Sequence, residues 1–321
     1  VKDLSGNNNT GVIQGDVKII DDTSGKVALF DGKTGYIKIP SLSSWDMKRS
    51  MTVSAVVRFF DDGKVMAADD AHDMIIAKDD YFVFGVWPTG SGGQRILYFN
   101  TNDGESWFHG ATSLYNVIPN TWMQVDLRIT LLDKTKGKYL LELFVDGTRI
   151  AETPFENLFK QNNTNPICVG FGFGNCWLMH GNMASISMYN RAISNREIIK
   201  SAMDNPYIQN KPTAHLDTTM LFAPRDGIAT VNINGAYIGD TNQAKWTYRF
   251  NQINKDGTKK FLKKSSLSNF IDDKKKVDVN IAKLHPGQYE TIVDCIAKDG
   301  KTYSQTIPWE KPDVNIWRQA K

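Results

Sequence analysis

Alternating apolar and polar residues recur in short runs along the first two thirds of the chain and predict β-strands. Turns rich in Gly, Asn and Asp separate these runs roughly every 8–15 residues. Aromatic and β-branched residues dominate the runs, whereas segments with a helical period are scarce. This pattern indicates an all-β antiparallel sandwich. The predicted strands are residues 17–20, 26–40 (two strands joined by DGKTG), 51–60, 74–78, 81–87, 96–100, 121–132, 138–150 and 167–173.

Residues 181–199 close this region with a strand followed by a short helix. Ser194 is a suitable N-cap, and Glu197 three positions later completes a capping box. We therefore predict a helix over Asn195–Met203. The segment 204–213 contains two prolines and no apolar period, which indicates a linker.

A second series of strands follows the linker and predicts a smaller domain. Ten or more strands in about 200 residues favour a two-sheet jelly roll for the first part, whereas seven or so in about 110 residues favour a small sandwich. The predicted domains are residues 1–205 and 206–321. The turn LHPGQY at residues 284–289 resembles the corresponding turn of immunoglobulin-like and fibronectin type III-like modules, which implies an immunoglobulin-like β-sandwich.

Charge is distributed unevenly, although the net charge is only +3. Residues 206–321 carry 18 Lys and Arg against 12 Asp and Glu, and residues 1–205 carry 20 against 23. The basic excess is concentrated at residues 255–276. These lysines either contact an acidic glycan or another anionic surface, or protect a solvated edge strand from pairing, and we favour the second interpretation. Stacking aromatics are too few there to predict a nucleic-acid partner.

Six motifs in the first domain, taken in order, resemble the concanavalin A-like lectin/glucanase superfamily, and in particular its laminin-G-like jelly rolls of secreted bacterial proteins. The resemblance covers residues 1 to about 203 and rests on DLSGNNNTG (3–11), VALFDGKTGYIKIP (27–40), MTVSAVVRF (51–59), NTWMQVDLRI (120–129), LELFVDGTRI (141–150) and GNMASISMYNRAISNREI (181–198). It implies a two-sheet jelly roll whose concave face or rim loops bind a polysaccharide or glycan. It also implies a secreted or cell-surface location.

The sequence departs from the family pattern at a calcium-binding position. Family members have an acidic pair before YNR, and its first acid often ligates Ca²⁺, but here Ala184 and Ser185 occupy these positions. Asp3 and Asp31 remain as ligands for Ca²⁺, which prefers oxygen atoms. The turn around Asp3 is either a metal or glycan loop or a self-capped turn, and we favour the latter. The family's usual strand before this turn is missing, which suggests that upstream residues were removed.

Carbohydrate sites combine an exposed aromatic ring with carboxylate or amide groups, because sugars have apolar C–H faces fringed by hydroxyls. Three turn-rich segments offer this combination. The candidate residues are Trp107, Asp103, Glu105 and His109 in the first segment, Trp87 in the second, and Trp177 with Asn175 in the third. Each Trp also has a structural interpretation as a core residue. Trp122, which opens a predicted strand, is expected to be core.

Catalytic patterns are missing, so we do not expect an enzyme. Glucanases of this fold use carboxylates spaced as Glu-x-Asp-x-(x)-Glu along one strand, and lyases carry a QIH-type signature; neither occurs here. The preferred function is a non-catalytic, lectin-like portion of a glycan-degrading or surface protein. The alternatives are a structural or adhesion spacer packed on an upstream catalytic domain, and a divergent glycoside hydrolase or polysaccharide lyase.

Two further expectations follow from composition. No run approaches the roughly 18 apolar residues of a membrane span. The cysteines number three, and Cys168 and Cys176 flank the turn GFGFG, where they could face each other. Free buried thiols are the preferred interpretation, because cysteine is among the most buried residue types.

Overall fold

A computed structural model describes ten segments of the chain: residues 1–40, 49–61, 72–89, 94–102, 109–156, 163–172, 177–223, 228–238, 244–267 and 274–311. The chain divides into two compact units. The first comprises Val1–Ser194 and Ser201–Lys211, and the second comprises Asn195–Lys200 and Pro212–Lys321. The domain boundary predicted at residue 205 stays a prediction.

Among the described residues, the first unit has fourteen strands in two antiparallel sheets, which confirms the jelly roll. The strands are β1 (Val12–Gln14), β2 (Val17–Asp22), β3 (Gly25–Asp31), β4 (Tyr36–Ile39), β5 (Met51–Phe59), β6 (Asp73–Lys78), β7 (Phe82–Thr89), β8 (Gln94–Thr101), β9 (His109–Asn116), β10 (Met123–Asp133), β11 (Lys138–Val145), β12 (Thr148–Glu156), β13 (Ile167–Val169) and β14 (His180–Tyr189). The first sheet has the order β1-β4-β13-β6-β7-β8-β9, and the second has the order β12-β11-β10-β5-β14-β3-β2.

Both sheets contribute alternate residues to one core. Met51, Val53, Ala55 and Val57 of β5 are buried, as their alternation predicts. They pack in one cluster with apolar side chains of the first sheet, namely Ile75, Ile76, Phe82, Phe84, Leu97 and Phe99. The remaining side chains of each sheet therefore point away from this core, and these outer faces hold the polar and aromatic groups considered below.

The turn DGKTG joins two strands, as predicted, but these strands belong to different sheets. β3 pairs with β2 and β14, whereas β4 pairs with β1 and β13, so the turn carries the chain from one sheet to the other. The Asp31 carboxylate accepts hydrogen bonds from the backbone N–H groups of Lys33, Thr34 and Gly35. The turn is thus stabilised locally and needs no strand pairing across it.

The closing segment follows the prediction more closely. The helix, α1, spans Asn195–Asp204. β14 has a register irregularity between Met183 and Ser185, which places Ala184 at a bulge. Trp122, by contrast, is not a core residue, because β10 begins one position later. Its ring lies 4.5 Å from that of Tyr207.

In the segments that the structure describes, the second unit has seven antiparallel strands in two sheets. Its strands are β15 (Ala214–Ala223), β16 (Ile228–Tyr237), β17 (Lys245–Ile253), β18 (Lys259–Leu267), β19 (Lys274–Asn280), β20 (Gly287–Ile296) and β21 (Thr302–Lys311). One sheet has the order β15-β16-β19 and the other the order β18-β17-β20-β21, around a core that includes Val231, Trp246 and Val293. The Tyr289 hydroxyl donates to the His285 carbonyl oxygen over 2.6 Å, a contact that resembles the tyrosine corner of immunoglobulin-like domains. The immunoglobulin-like fold of this unit stays a prediction.

The thiols of Cys168 and Cys295 are free. Burial raises the pKa of the Cys295 thiol to about 12. Cys176 lies outside the described residues, so the expectation that it is a free thiol stays a prediction.

Candidate functional site

The outer face of the first sheet carries a cluster of aromatic side chains, which we call the aromatic cluster. Alternation along β7 and β8 places Trp87 and Tyr98 on the face opposite the core residues Val86 and Leu97. Trp177 approaches from the segment before β14. The cluster comprises His72, Met74, Trp87, Tyr98 and Trp177.

His72 links these rings. Its imidazole stacks on Trp177 with ring centroids 4.0 Å apart and is almost parallel to Trp87, at 6.1 Å. Its Nδ1 lies 2.8 Å from the Tyr98 hydroxyl, within hydrogen-bonding distance. Burial raises the pKa of Tyr98 above its ordinary value, so this hydroxyl stays protonated. The cluster is therefore held by both stacking and a polar contact.

Two glycines make room for the buried part of the cluster. A Cβ atom at Gly85 would lie 2.7 Å from Met74 Cε and 2.5 Å from the Asp73 carbonyl oxygen. A Cβ atom at Gly172 would lie 2.7 Å from Met74 Cγ. Any side chain at either position would displace Met74 or the backbone beside it, so the close packing under the rings depends on glycine.

Trp87 is the exposed member of the aromatic cluster. Its side chain is 39% exposed, whereas Tyr98 is 2% and Met74 0% exposed. Polar positions lie further along the same face: Asn100 pairs with Val83, four residues or about 13 Å from Trp87 along the strand, and Thr112 pairs with Tyr98 across β8 and β9. The arrangement offers an apolar ring to a ligand, with an amide and a hydroxyl on neighbouring strands.

The structure brings together two of the residues proposed from sequence, Trp87 and Trp177. The candidates Trp107, Asp103, Glu105 and Asn175 lie outside the described residues. His109 opens β9, and its side chain also lies outside what is described. The set therefore stays a prediction as a binding site. Sequence reasoning did not select His72, Tyr98 or Asn100, although strand alternation places Tyr98 and Asn100 on one face.

The two proposed calcium ligands both cap turns. Asp3 accepts hydrogen bonds from the N–H groups of Ser5 and Asn9, each over 2.8 Å. Although burial opposes it, hydrogen bonds from the N–H groups of Thr34, Lys33 and Gly35 lower the pKa of Asp31 to about 2. In the part of the chain that the structure describes, no three His, Cys, Asp or Glu residues gather as a metal site would require. Calcium binding stays a prediction, and these carboxylates by themselves do not make the site.

Comparison with known proteins identifies the first unit. The family model for a laminin-G-like branch of the concanavalin A-like lectin/glucanases superfamily matches residues 31–199, which is more than half of the chain. No curated protein matches the sequence. Among the described residues, no helix is long and apolar enough to cross a membrane.

Solved structures with a similar fold include several binding domains. The binding domain of Paraclostridial Mosquitocidal Protein 1 is 14% identical, with a TM-score of 0.50, over 73% of this chain and 61% of that chain. Domain 4 of AbnA, a GH43 extracellular arabinanase from Geobacillus stearothermophilus solved with arabinotriose, is 16% identical, with a TM-score of 0.46, over 62% and 91%. The binding domain of botulinum neurotoxin serotype G is 12% identical, with a TM-score of 0.46, over 97% and 77%. At these identities the likeness concerns the fold.

Proposed function

Because the chain belongs to the concanavalin A-like lectin/glucanases superfamily, we propose that its jelly roll is a non-catalytic carbohydrate-binding domain that uses the outer face of the first sheet. One sugar ring stacks on Trp87, and further sugars of the same polysaccharide, which extends across β8 and β9, bond the Asn100 amide and the Thr112 hydroxyl. In this proposal the chain is the binding portion of a secreted bacterial glycan-degrading or surface protein, with a catalytic domain elsewhere in the same polypeptide.

The observation that carries this proposal is an exposed Trp87 on a rigid support. Large rings are normally buried, and a Trp that stays 39% exposed while its neighbours close around His72 is typical of a binding surface. Sugars stack their C–H faces on such rings. Because the side chains around Trp87 are already packed, binding of a ligand needs to order few of them and costs little conformational entropy.

Affinity electrophoresis in gels that contain neutral plant and bacterial polysaccharides tests the proposal. We expect the full chain to be retarded by at least one polysaccharide. Trp87→Ala removes the stacking platform and should weaken retention at least about tenfold, the loss of roughly 1.4 kcal/mol. The matched control is Leu132→Ala, which truncates another exposed apolar residue of the same unit and should leave retention unchanged.

Two results would contradict the proposal. One is a folded parent chain that no polysaccharide in the panel retards. The other is an equal loss of retention in the Trp87 and Leu132 variants, because this would indicate a general effect on the jelly roll rather than a contact at the aromatic cluster.

A further inference from the structure

Lysines line two edge strands of the second unit, β18 and β19, which belong to different sheets and which together we call the lysine edge. The exposed lysines are Lys259, Lys260, Lys263 and Lys264 on β18 and Lys274 and Lys276 on β19. Lys259 pairs with Glu290 over 2.9 Å. The other five make no ion pair with the residues that the structure describes. The lysine edge therefore carries uncompensated positive charge in a folded, ordered part of the molecule.

The two strands lie on the same side of the sandwich. β18 is an edge strand of the four-stranded sheet, and β19 is an edge strand of the three-stranded sheet. At the opposite edges, β15 packs against β21, and the hydroxyl groups of Thr213 and Tyr303 are hydrogen-bonded there. Because that contact fixes one side of the sandwich, β18 and β19 must share the other. Phe261 and Lys264 pair with Asn251 and Arg249, so they lie on the outer face of the four-stranded sheet. Lys274 and Lys276 pair with Asn234 and Asn232, so they lie on the outer face of the three-stranded sheet. The surface proposed below is therefore centred on β18.

An exposed aromatic ring interrupts the lysines. The register between β17 and β18 shifts between Phe250 and Asn251, so that Asn251 pairs with Phe261 and Leu262 falls at the irregularity. Leu262 packs against the core. Phe261 is directed outward and is 59% exposed. A bulged strand thus presents a large apolar ring between Lys260 and Lys263.

We infer that the lysine edge is a docking surface for an acidic polysaccharide, one whose sugars carry carboxylate or sulfate groups. The lysine ammonium groups pair with those anionic groups, and Phe261 stacks on the C–H face of a sugar ring. This site is separate from the aromatic cluster and takes a different class of glycan.

Protection of an edge strand explains some of these lysines, because a charge on an edge blocks pairing with another chain. It does not explain a large exposed ring among them, since an apolar residue on an edge favours association. Single-stranded nucleic acid is bound through several stacking aromatics along a basic groove. Among the described residues of β18 and β19, Phe261 is the one aromatic residue, which favours a sugar polymer.

Binding of the full chain to dextran sulfate, compared with uncharged dextran at about 50 mM NaCl, tests the inference. We expect retention on dextran sulfate alone, and loss of retention near about 500 mM NaCl, where screening shortens the reach of surface charges. Lys263→Gln with Lys264→Gln should weaken binding roughly fivefold, as expected for two exposed charge pairs. Phe261→Ala should weaken it at constant net charge.

The matched control is Lys283→Gln with Lys298→Gln, which removes the same charge from exposed positions off the lysine edge and should change binding less than about twofold. Trp87→Ala should leave dextran sulfate binding intact, which separates this site from the proposed function. An equal loss in both double variants would overturn the inference. So would a folded parent that binds anionic phosphatidylserine vesicles or an oligonucleotide but not dextran sulfate.

Discussion

The two outer faces of the jelly roll differ in the side chains that they carry and in how far these side chains are buried. On the first sheet, the aromatic cluster ends in an exposed Trp87. On the second sheet, the corresponding positions of β5, β10 and β11 carry charged and polar side chains that are buried, such as Asp126 and Glu142. The two sheets thus each have seven described strands, but their outer faces carry different kinds of side chain.

The chain itself covers the outer face of the second sheet. Arg128 Nη1 donates to the Ile193 carbonyl oxygen over 2.8 Å, and the Thr52 hydroxyl donates to the Arg191 carbonyl oxygen over 3.0 Å. The Ser201 hydroxyl donates to Gln124 Oε1 over 3.1 Å. The polar groups of that face are therefore used within the fold, whereas the aromatic cluster keeps a ring available. The contacts on the second sheet stabilise the fold, whereas the first sheet leaves the Trp87 ring exposed to solvent.

The strongest test of this contrast is Glu142→Gln. Glu142 receives a bidentate contact from Arg128, at 2.7 and 2.8 Å, and a third from Arg149 at 3.2 Å. Removal of its charge leaves the Arg128 guanidinium in a buried site without its ion-pair partner, whereas Arg149 keeps its contact with Glu152. The free energy of unfolding should therefore fall by about 3 kcal/mol. Urea unfolding measures this. Glu156→Gln, at an exposed pair with Lys138, should cost less than about 0.5 kcal/mol.

The second prediction concerns pH. Burial raises the pKa of Asp126 to about 6, and that of Asp146 also to about 6. Between pH about 4 and about 6 these groups bind more protons when folded than when unfolded, so they lower the free energy of unfolding as pH rises through this window.

Asp126→Asn should remove its share of this dependence, about 2–3 kcal/mol between the two ends of the window. Urea unfolding at a series of pH values measures the slope in the variant and the parent. The exposed Asp16→Asn should keep the parent slope. A parent slope retained in the Asp126 variant would show that this carboxyl group does not titrate between these values.

A smaller effect is expected from Tyr98→Phe in the aromatic cluster. The change removes a hydroxyl that contacts His72 while it keeps the ring, so the free energy of unfolding should fall by about 1 kcal/mol. Urea unfolding measures the free energy of unfolding, and affinity electrophoresis measures glycan retention by the same variant. Stability reduced by more than about 3 kcal/mol would place this hydroxyl among the main supports of the fold and remove the contrast with Glu142.

The smallest effect on stability is expected from Trp87→Ala. Since the ring is 39% exposed, its loss should cost about 1 kcal/mol or less, compared with the roughly 3–5 kcal/mol of a buried Trp. Thermal unfolding checks this. A small loss of stability together with a large loss of glycan retention would distinguish a binding residue from a core residue.

Much of the fold could be predicted from the sequence, because strand alternation and helix capping are local sequence patterns. Alternation identified β5, β10 and β11, and the Ser194 capping box identified α1. β9 was missed, because HGATSLYN has a glycine and small polar residues and no clear alternation. The pairing of the two strands around DGKTG could not be predicted, because a turn motif carries no information about partners: β3 pairs with β2 and β14, and β4 pairs with β1 and β13.

The site was harder to derive. Both faces of β6 and β7 are apolar, so alternation alone does not tell which one points into the core. His72 lies in a segment that reads as a polar loop, and only the tertiary structure brings it against Trp177. Trp87 and Trp177 were selected for their turn-rich surroundings, and the contact through His72 had no signal in the sequence.

The position of β13 and β14 also has a consequence for the order in which the molecule assembles. Among the described strands, β1 and β4 join the first sheet through β13, and β2 and β3 join the second through β14. Strands made early in synthesis thus wait for residues 167–189 before either sheet becomes continuous. Since a nascent chain emerges from its N-terminus onward, completion of this jelly roll is a late event in its synthesis. A ribosome that stalls before Ile167 would hold two unconnected halves of each sheet.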